Sequence, residues 1–136
     1  MAHMVAKYLG GLRCECKHLA SGNAIFTDAP VDNKGKGEAF SPTDLCSSSL
    51  ALCMMTIMGI YAQEHGFSVE GMEAAITKEM SANPRRIAKV AITLTMPKQE
   101  YTDKQKKALE HCANACPVHH SLHPDTVQEL NIVWPE

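Results

Sequence analysis

The sequence predicts a single α+β domain in which short antiparallel strands accompany a long buried helix. Three observations carry that prediction. Residues 5–27 hold short β-type runs broken by Gly10-Gly11 and Ser21-Gly22, the pattern of strands joined by tight turns. A helix start at Ser41-Pro42-Thr43-Asp44 opens a stretch, 45–63, that carries no formal charge. The second half contains apolar alternation in 88–96 and 127–134, a period that suits half-buried strands.

In chain order, residues 5–8, 13–18 and 24–27 are read as the N-terminal strands. The run 28–37, Asp28-Ala29-Pro30-Val31-Asp32-Asn33-Lys34-Gly35-Lys36-Gly37, is rich in turn formers and charge and is expected to be an exposed loop. Ser41 then supplies a cap, Pro42 occupies the first helical position where a missing N–H costs nothing, and Asp44 faces the helix dipole. His65-Gly66 ends this helix with a cation and a glycine cap. A helix apolar on nearly all sides is a buried central helix, and Ser47, Ser48, Ser49, Ala51, Gly59 and Ala62 would let a second helix approach closely.

Residues 67–80 fit a helix or a strand equally well, with Asn83-Pro84-Arg85-Arg86 as the following turn. Residues 88–96 read as a strand ended by Pro97. Thr102-Asp103-Lys104-Gln105 matches a capping box and begins a helix through Ala113. The last strand, 127–134, places Leu130, Ile132 and Trp134 on one face.

Composition narrows the function classes. At 136 residues one domain is expected, residues 4–136, with residues 1–3 read as a cloning remnant ahead of Met4. A chain of this size buries enough surface to need no disulfide scaffold. A net charge of −2 and 5% aromatic residues provide neither the basic field nor the stacking side chains of a nucleic-acid binder. No basic stretch followed by an apolar run opens the chain, so a cytoplasmic location is expected. A membrane span in 45–63 is set aside because serines, Thr56 and Gly59 dilute it and no basic flank follows.

The six cysteines are therefore read as reduced thiols, metal ligands or redox groups. Cys14 and Cys16, two apart on a strand, share a face and read most simply as small sheet side chains. Cys46 and Cys53 lie seven apart on the central helix, about 10 Å along its axis, too far to bond to each other. Cys46 is read as core filling, and Cys53 needs a partner from elsewhere. Cys112 and Cys116, with His111, His119, His120 and His123, resemble half of a zinc site whose second half only Cys14 and Cys16 could supply, so no metal is assigned. Cys116 stands before Pro117 at the cap of a helical turn through Leu122, where backbone N–H groups and the dipole favour thiolate, with His119 or His120 adding positive character.

Taken together, Phe40-Ser41-Pro42-Thr43-Asp44-Leu45 followed eight residues later by Cys53, and Cys116-Pro117-Val118 before Ser121-Leu122, resemble the OsmC/Ohr superfamily of osmotically inducible and organic hydroperoxide resistance proteins. Ser21-Gly22 before Asp28-Ala29-Pro30, and Asn83-Pro84-Arg85-Arg86-Ile87 between two strands, extend the resemblance over nearly the whole chain. The resemblance implies an α+β fold of antiparallel sheets around the long helix, an intertwined homodimer with that helix at the interface, and strand for residues 67–80. It also places Cys53 and Cys116 at the positions of the peroxidatic and resolving cysteines. In the family a glutamate stands ten residues before the peroxidatic cysteine. Here that position is Thr43 and the nearest acid is Asp44. An arginine from an N-terminal strand covers the thiolate in the family, and Arg13 is the only arginine in that region.

The function so implied is a thiol-dependent peroxidase acting on small apolar substrates, organic or fatty-acid hydroperoxides, in an oxidative stress response. It would need no bound cofactor, and an external dithiol or lipoyl-type reductant would restore it. Met54, Met55, Ile57 and Met58 would line an apolar dimer groove for such a substrate. The alternative is a non-catalytic dimer that binds a small apolar ligand or senses redox state. Neither reading calls for nucleic acid or membrane.

Overall fold

Gly10 and Gly11 take φ of 85° and 62°, left-handed values that cost glycine no Cβ clash, and they turn β1 (Met4–Gly10) back onto β2 (Arg13–His18). In the computed structural model, which describes residues 1–136, the chain forms two compact units, Met1–Cys46 and Ser47–Glu136.

In the first unit β1, β2 and β3 (Ala24–Asp28) form one antiparallel sheet. His18 N–H donates to the Asn23 carbonyl at 2.8 Å and closes the second turn, so the register puts Arg13 directly opposite Asp28. The segment beyond β3 departs from the expected exposed loop at its first residue: Asp28 ends the strand and is only 1% exposed. The chain then passes through a short 3-10 turn, Val31–Asn33, and folds tightly over Gly35, where a Cβ would fall 1.7 Å from the Ala29 carbonyl oxygen.

The long helix α1 (Pro42–Glu64) starts as its sequence dictates. Asp44 N–H donates to Ser41 Oγ and Ser41 N–H donates to the Asp44 carboxylate, both at 3.0 Å. Gly66 takes a φ of 77°, and Phe67 N–H reaches back to the Ala62 carbonyl at 3.0 Å, closing the helix with a left-handed glycine cap. By length and hydropathy α1 could cross a membrane, but its stripe of Leu50, Ala51, Met54, Met58 and Ala62 is built into the protein core. The expectation of burial on nearly all sides holds for that stripe only. Leu52 and Ile60, on other faces of the helix, are 60% and 47% exposed.

The second unit pairs β4 (Glu73–Ser81) and β5 (Arg86–Thr95) antiparallel, with β6 (Val127–Val133) parallel to β5 on its other side. This sheet is mixed rather than wholly antiparallel because β5 reaches β6 through α2 (Asp103–Ala113) and α3 (Pro117–Ser121), the long crossover that parallel pairing requires. Strand was implied from residue 67, yet β4 begins at Glu73. Gly71, at φ 94°, and the bond from Met72 N–H to the Val69 carbonyl make a turn of the preceding residues. The capping box of α2 forms both bonds, Gln105 N–H to Thr102 Oγ1 at 3.1 Å and Thr102 N–H to Gln105 Oε1 at 2.9 Å. Val90, Ile92 and Leu94 of β5, Leu109 and Ala113 of α2, and Cys116 complete the core with the α1 stripe. Each large apolar side chain so buried contributes roughly 1.5–3 kcal/mol.

Candidate active site

Two elements of the second unit bring Cys53 and Cys116 together from 63 positions apart in the chain. Cys53 projects from the middle of α1, half-buried and packed against the core. Cys116 caps α3 with extended backbone, φ −75° and ψ 151°, ahead of Pro117 at the first helical position. Its side chain is fully buried, and its sulfur accepts the His119 N–H at 3.3 Å. The Cys53 thiol neighbours the Cys116 thiol against the same core. Both cysteines are free thiols.

Burial sets the electrostatics of Cys116. The loss of solvent pushes its pKa up, and the N–H groups of His119 and Val118 pull it down while neighbouring Cys53 raises it further. The net direction is upward, so the thiolate favoured by a helix start is overridden by desolvation. Burial likewise raises Cys112, half-buried at the end of α2. Cys116 therefore suits a thiol that answers an oxidised partner rather than one that attacks first.

The charged residues sort differently from the sequence expectation. Arg13 grips Asp28, not Asp44, through Nε to Oδ1 at 2.7 Å and Nη2 to Oδ2 at 2.8 Å, and Glu38 N–H adds a third bond to the carboxylate at 3.1 Å. This fork holds the Asp28 pKa below the usual carboxylate value and raises that of Arg13. Asp44 is engaged in capping α1 through Ser41. Asp28 was missed as a partner because the loop composition around it reads as exposed. The signal was in the hairpin, whose His18–Asn23 closure puts residue 28 across from residue 13.

Cys46 is exposed rather than core filling, since it precedes the buried stripe that begins at Ser47. Cys14 and Cys16 are half-exposed on one sheet face. His111, His119, His120 and His123 do not join the cysteines in a ligand set of three or more. Met54 and Met58 are core residues at 2% and 0% exposure, and Ile57 packs against that core. Met55 lines a groove of about 470 Å³ with Gln63, Phe67, Ser68, Glu70 and Met72.

Residues 35–131 match the family described as OsmC-like protein. The chain belongs to the OsmC-like family. A crystal structure of a Psychrobacter arcticus protein, named for an osmotic stress induced and detoxification response, is 49% identical, covering 97% of this chain and 96% of that one with a TM-score of 0.93. An organic hydroperoxide resistance protein OsmC from Legionella pneumophila superimposes with a TM-score of 0.74 at 18% identity over 98% of both chains. One from Elizabethkingia anophelis gives 0.72 at 12% identity, over 98% of this chain and 96% of that one. At those identities the last two share the OsmC-like fold. No curated protein matches the chain.

Proposed function

We propose that this OsmC-like protein is a thiol peroxidase that reduces organic hydroperoxides, with Cys53 as the attacking thiol and Cys116 as the resolving one. The observation that carries the reading is the juxtaposition of the two thiols, with Cys53 packed against the core cluster that holds Cys116 and acting on its electrostatics. In the first step the Cys53 thiolate takes the distal oxygen of ROOH. The O–O bond breaks, Cys53 becomes a sulfenic acid, and the alkoxide leaves as ROH after gaining a proton. Cys116 then forms a disulfide with Cys53 and releases water, and an external dithiol reduces that single S–S bond to two thiols while becoming a disulfide itself. Two relatives of this fold that are named for organic hydroperoxide resistance support the substrate class.

The test is consumption of tert-butyl hydroperoxide with a dithiol reductant. Parent protein should turn over and Cys53→Ser should not. Equal consumption by the two would sink the reading.

The same proposal includes a homodimer joined along α1. Support comes from Leu52 and Ile60, large apolar side chains 60% and 47% exposed on a helix whose opposite side is core. A monomer by sedimentation at micromolar concentration would contradict it.

A further inference from the structure

Helix α3 has only five residues, and one residue of β6 bonds to it through its side chain. Gln128 uses both ends of its side-chain amide on His119: Nε2 donates to the His119 carbonyl at 3.0 Å, and Oε1 meets the ring at Nδ1. The carbonyl can only accept, so the amide nitrogen must face it and the amide oxygen must face the ring. An amide oxygen in turn only accepts, which puts the proton of His119 on Nδ1. Gln128 is itself paired in register with Val90, a fully buried residue of β5. A path of hydrogen bonds therefore runs from the sheet through Gln128 to His119, and from the His119 N–H to the Cys116 sulfur at 3.3 Å.

We propose that Gln128 is a positioning residue for disulfide closure, holding His119 so that the His119 N–H keeps the Cys116 sulfur facing Cys53. The inference rests on the peroxidase reading for its oxidant, a hydroperoxide. In the step it serves, the Cys116 sulfur bonds to the Cys53 sulfur and the S–O bond of the sulfenic acid breaks. Hydroxide leaves with the thiol proton as water, Cys116 is oxidised and the sulfenic sulfur is reduced. Closure requires the two sulfurs to come within about 2.05 Å, so a loosened α3 lowers the fraction of molecules poised to react. The attack on peroxide occurs at Cys53, on α1, and does not draw on the clamp.

The experiment separates the two steps in the full chain. Cys53 sulfenic acid is followed with a dimedone probe after a pulse of tert-butyl hydroperoxide, and disulfide closure is followed by mass spectrometry of quenched samples. Gln128→Ala should form sulfenic acid within about twofold of the parent rate and close the disulfide roughly tenfold more slowly, the scale of one or two lost neutral hydrogen bonds. Gln128→Met, which keeps the side-chain length and removes both bonds, should behave alike and serves if the alanine variant folds poorly. Gln128→Glu, which keeps an acceptor for Nδ1, should recover part of the rate. Side-chain ¹⁵N shifts of His119 should show the Nδ1–H tautomer in the parent and a mixture in Gln128→Ala, a change that a purely packing role would not cause. Closure at the parent rate in both Gln128→Ala and Gln128→Met overturns the proposal.

A parent protein whose Cys53 does not react with hydroperoxide would overturn the peroxidase reading alone. The clamp is then judged with diamide, which takes two electrons and two protons from the thiol pair. Slowed closure upholds it. Equal closure, or no Cys53–Cys116 disulfide with either oxidant, overturns it.

Discussion

Arg13 and Asp28 stand directly opposite each other on β2 and β3 and are locked by a two-point fork, with the carboxylate 1% exposed and the guanidinium side chain 37% exposed. The folded pKa of Asp28 lies below its ordinary value. The stability that this group contributes is therefore complete above the unfolded pKa, about 3.9, and is lost as pH falls through the folded value. Thermal melts from pH 7 down to pH 3 should show Tm falling more steeply in the parent than in Asp28→Asn. The variant should begin from a lower Tm at pH 7, since it removes the two-point charged partner of Arg13 and leaves only Glu38 at 4.0 Å. Parallel curves would show that the fork contributes nothing to the acid limb.

The buried thiols predict an alkaline limb of opposite sign. Cys116 and Cys112 both have pKa values raised by burial, so the fold keeps their protons at a pH where the unfolded chain releases them. Their contribution is complete below the unfolded thiol pKa, about 8.5, and is lost as pH rises through the folded values. Denaturant melts under reducing conditions should show stability declining above that pH. Cys116→Ser, whose hydroxyl does not titrate there, should flatten the decline, and an unchanged slope would contradict the assignment.

Much of this architecture was legible locally. The Ser41 and Thr102 caps, the Gly66 stop and the inward alternation on β6 all involve groups within a few residues of one another, and they form as the sequence dictates. What was not legible depends on long-range pairing. Glu73 as the true start of β4 depends on its register with Thr95, and the parallel run of β6 follows from where α2 and α3 deliver the chain. Cys53 and Cys116 were identified by family motifs, whereas Gln128 in the second unit and Asp28 in the first act through partners nine and fifteen residues away. No local motif marks them.

Gly35 offers a test of the loop that follows β3. A Cβ there would meet the Ala29 carbonyl oxygen at 1.7 Å, its carbonyl carbon at 2.1 Å and its Cβ at 2.6 Å. Two of these are backbone atoms that cannot rotate aside. Gly35→Ala should therefore destabilise the protein by about 1–3 kcal/mol, the usual cost of overpacking, and should expose 29–37 to limited proteolysis. Wild-type Tm and cleavage pattern would show that this segment relaxes freely.

Leu52 tests the assembly. It is 60% exposed on α1, and a charge at the centre of an apolar helix interface would be desolvated without a partner. If the chain dimerises along this helix, Leu52→Lys should weaken dimerisation by about a hundredfold or more, near 2.7 kcal/mol, while leaving the buried stripe of Leu50, Met54 and Met58 untouched. Analytical ultracentrifugation across a concentration series gives the constant. An unchanged constant would move the interface elsewhere on the molecule.

The resolving role of Cys116 is tested by stopping the cycle after its first step. Cys116→Ser retains a small buried side chain that accepts the His119 N–H, so α3 should keep its cap, but a hydroxyl cannot form the disulfide. Without a resolving thiol, Cys53 should remain as sulfenic acid after one equivalent of hydroperoxide, and the dimedone adduct should map to Cys53 with a yield near one per chain. Excess peroxide should drive it on to sulfinic acid, which a dithiol does not reduce. Steady-state turnover should fall by about a hundredfold or more, equivalent to at least ~2.7 kcal/mol on the slowest step. In the parent the same pulse should give a Cys53–Cys116 disulfide and little adduct. Full turnover by Cys116→Ser, with no accumulated sulfenic acid, would mean that the external dithiol reduces Cys53 directly and that Cys116 is a core residue with no part in the reaction.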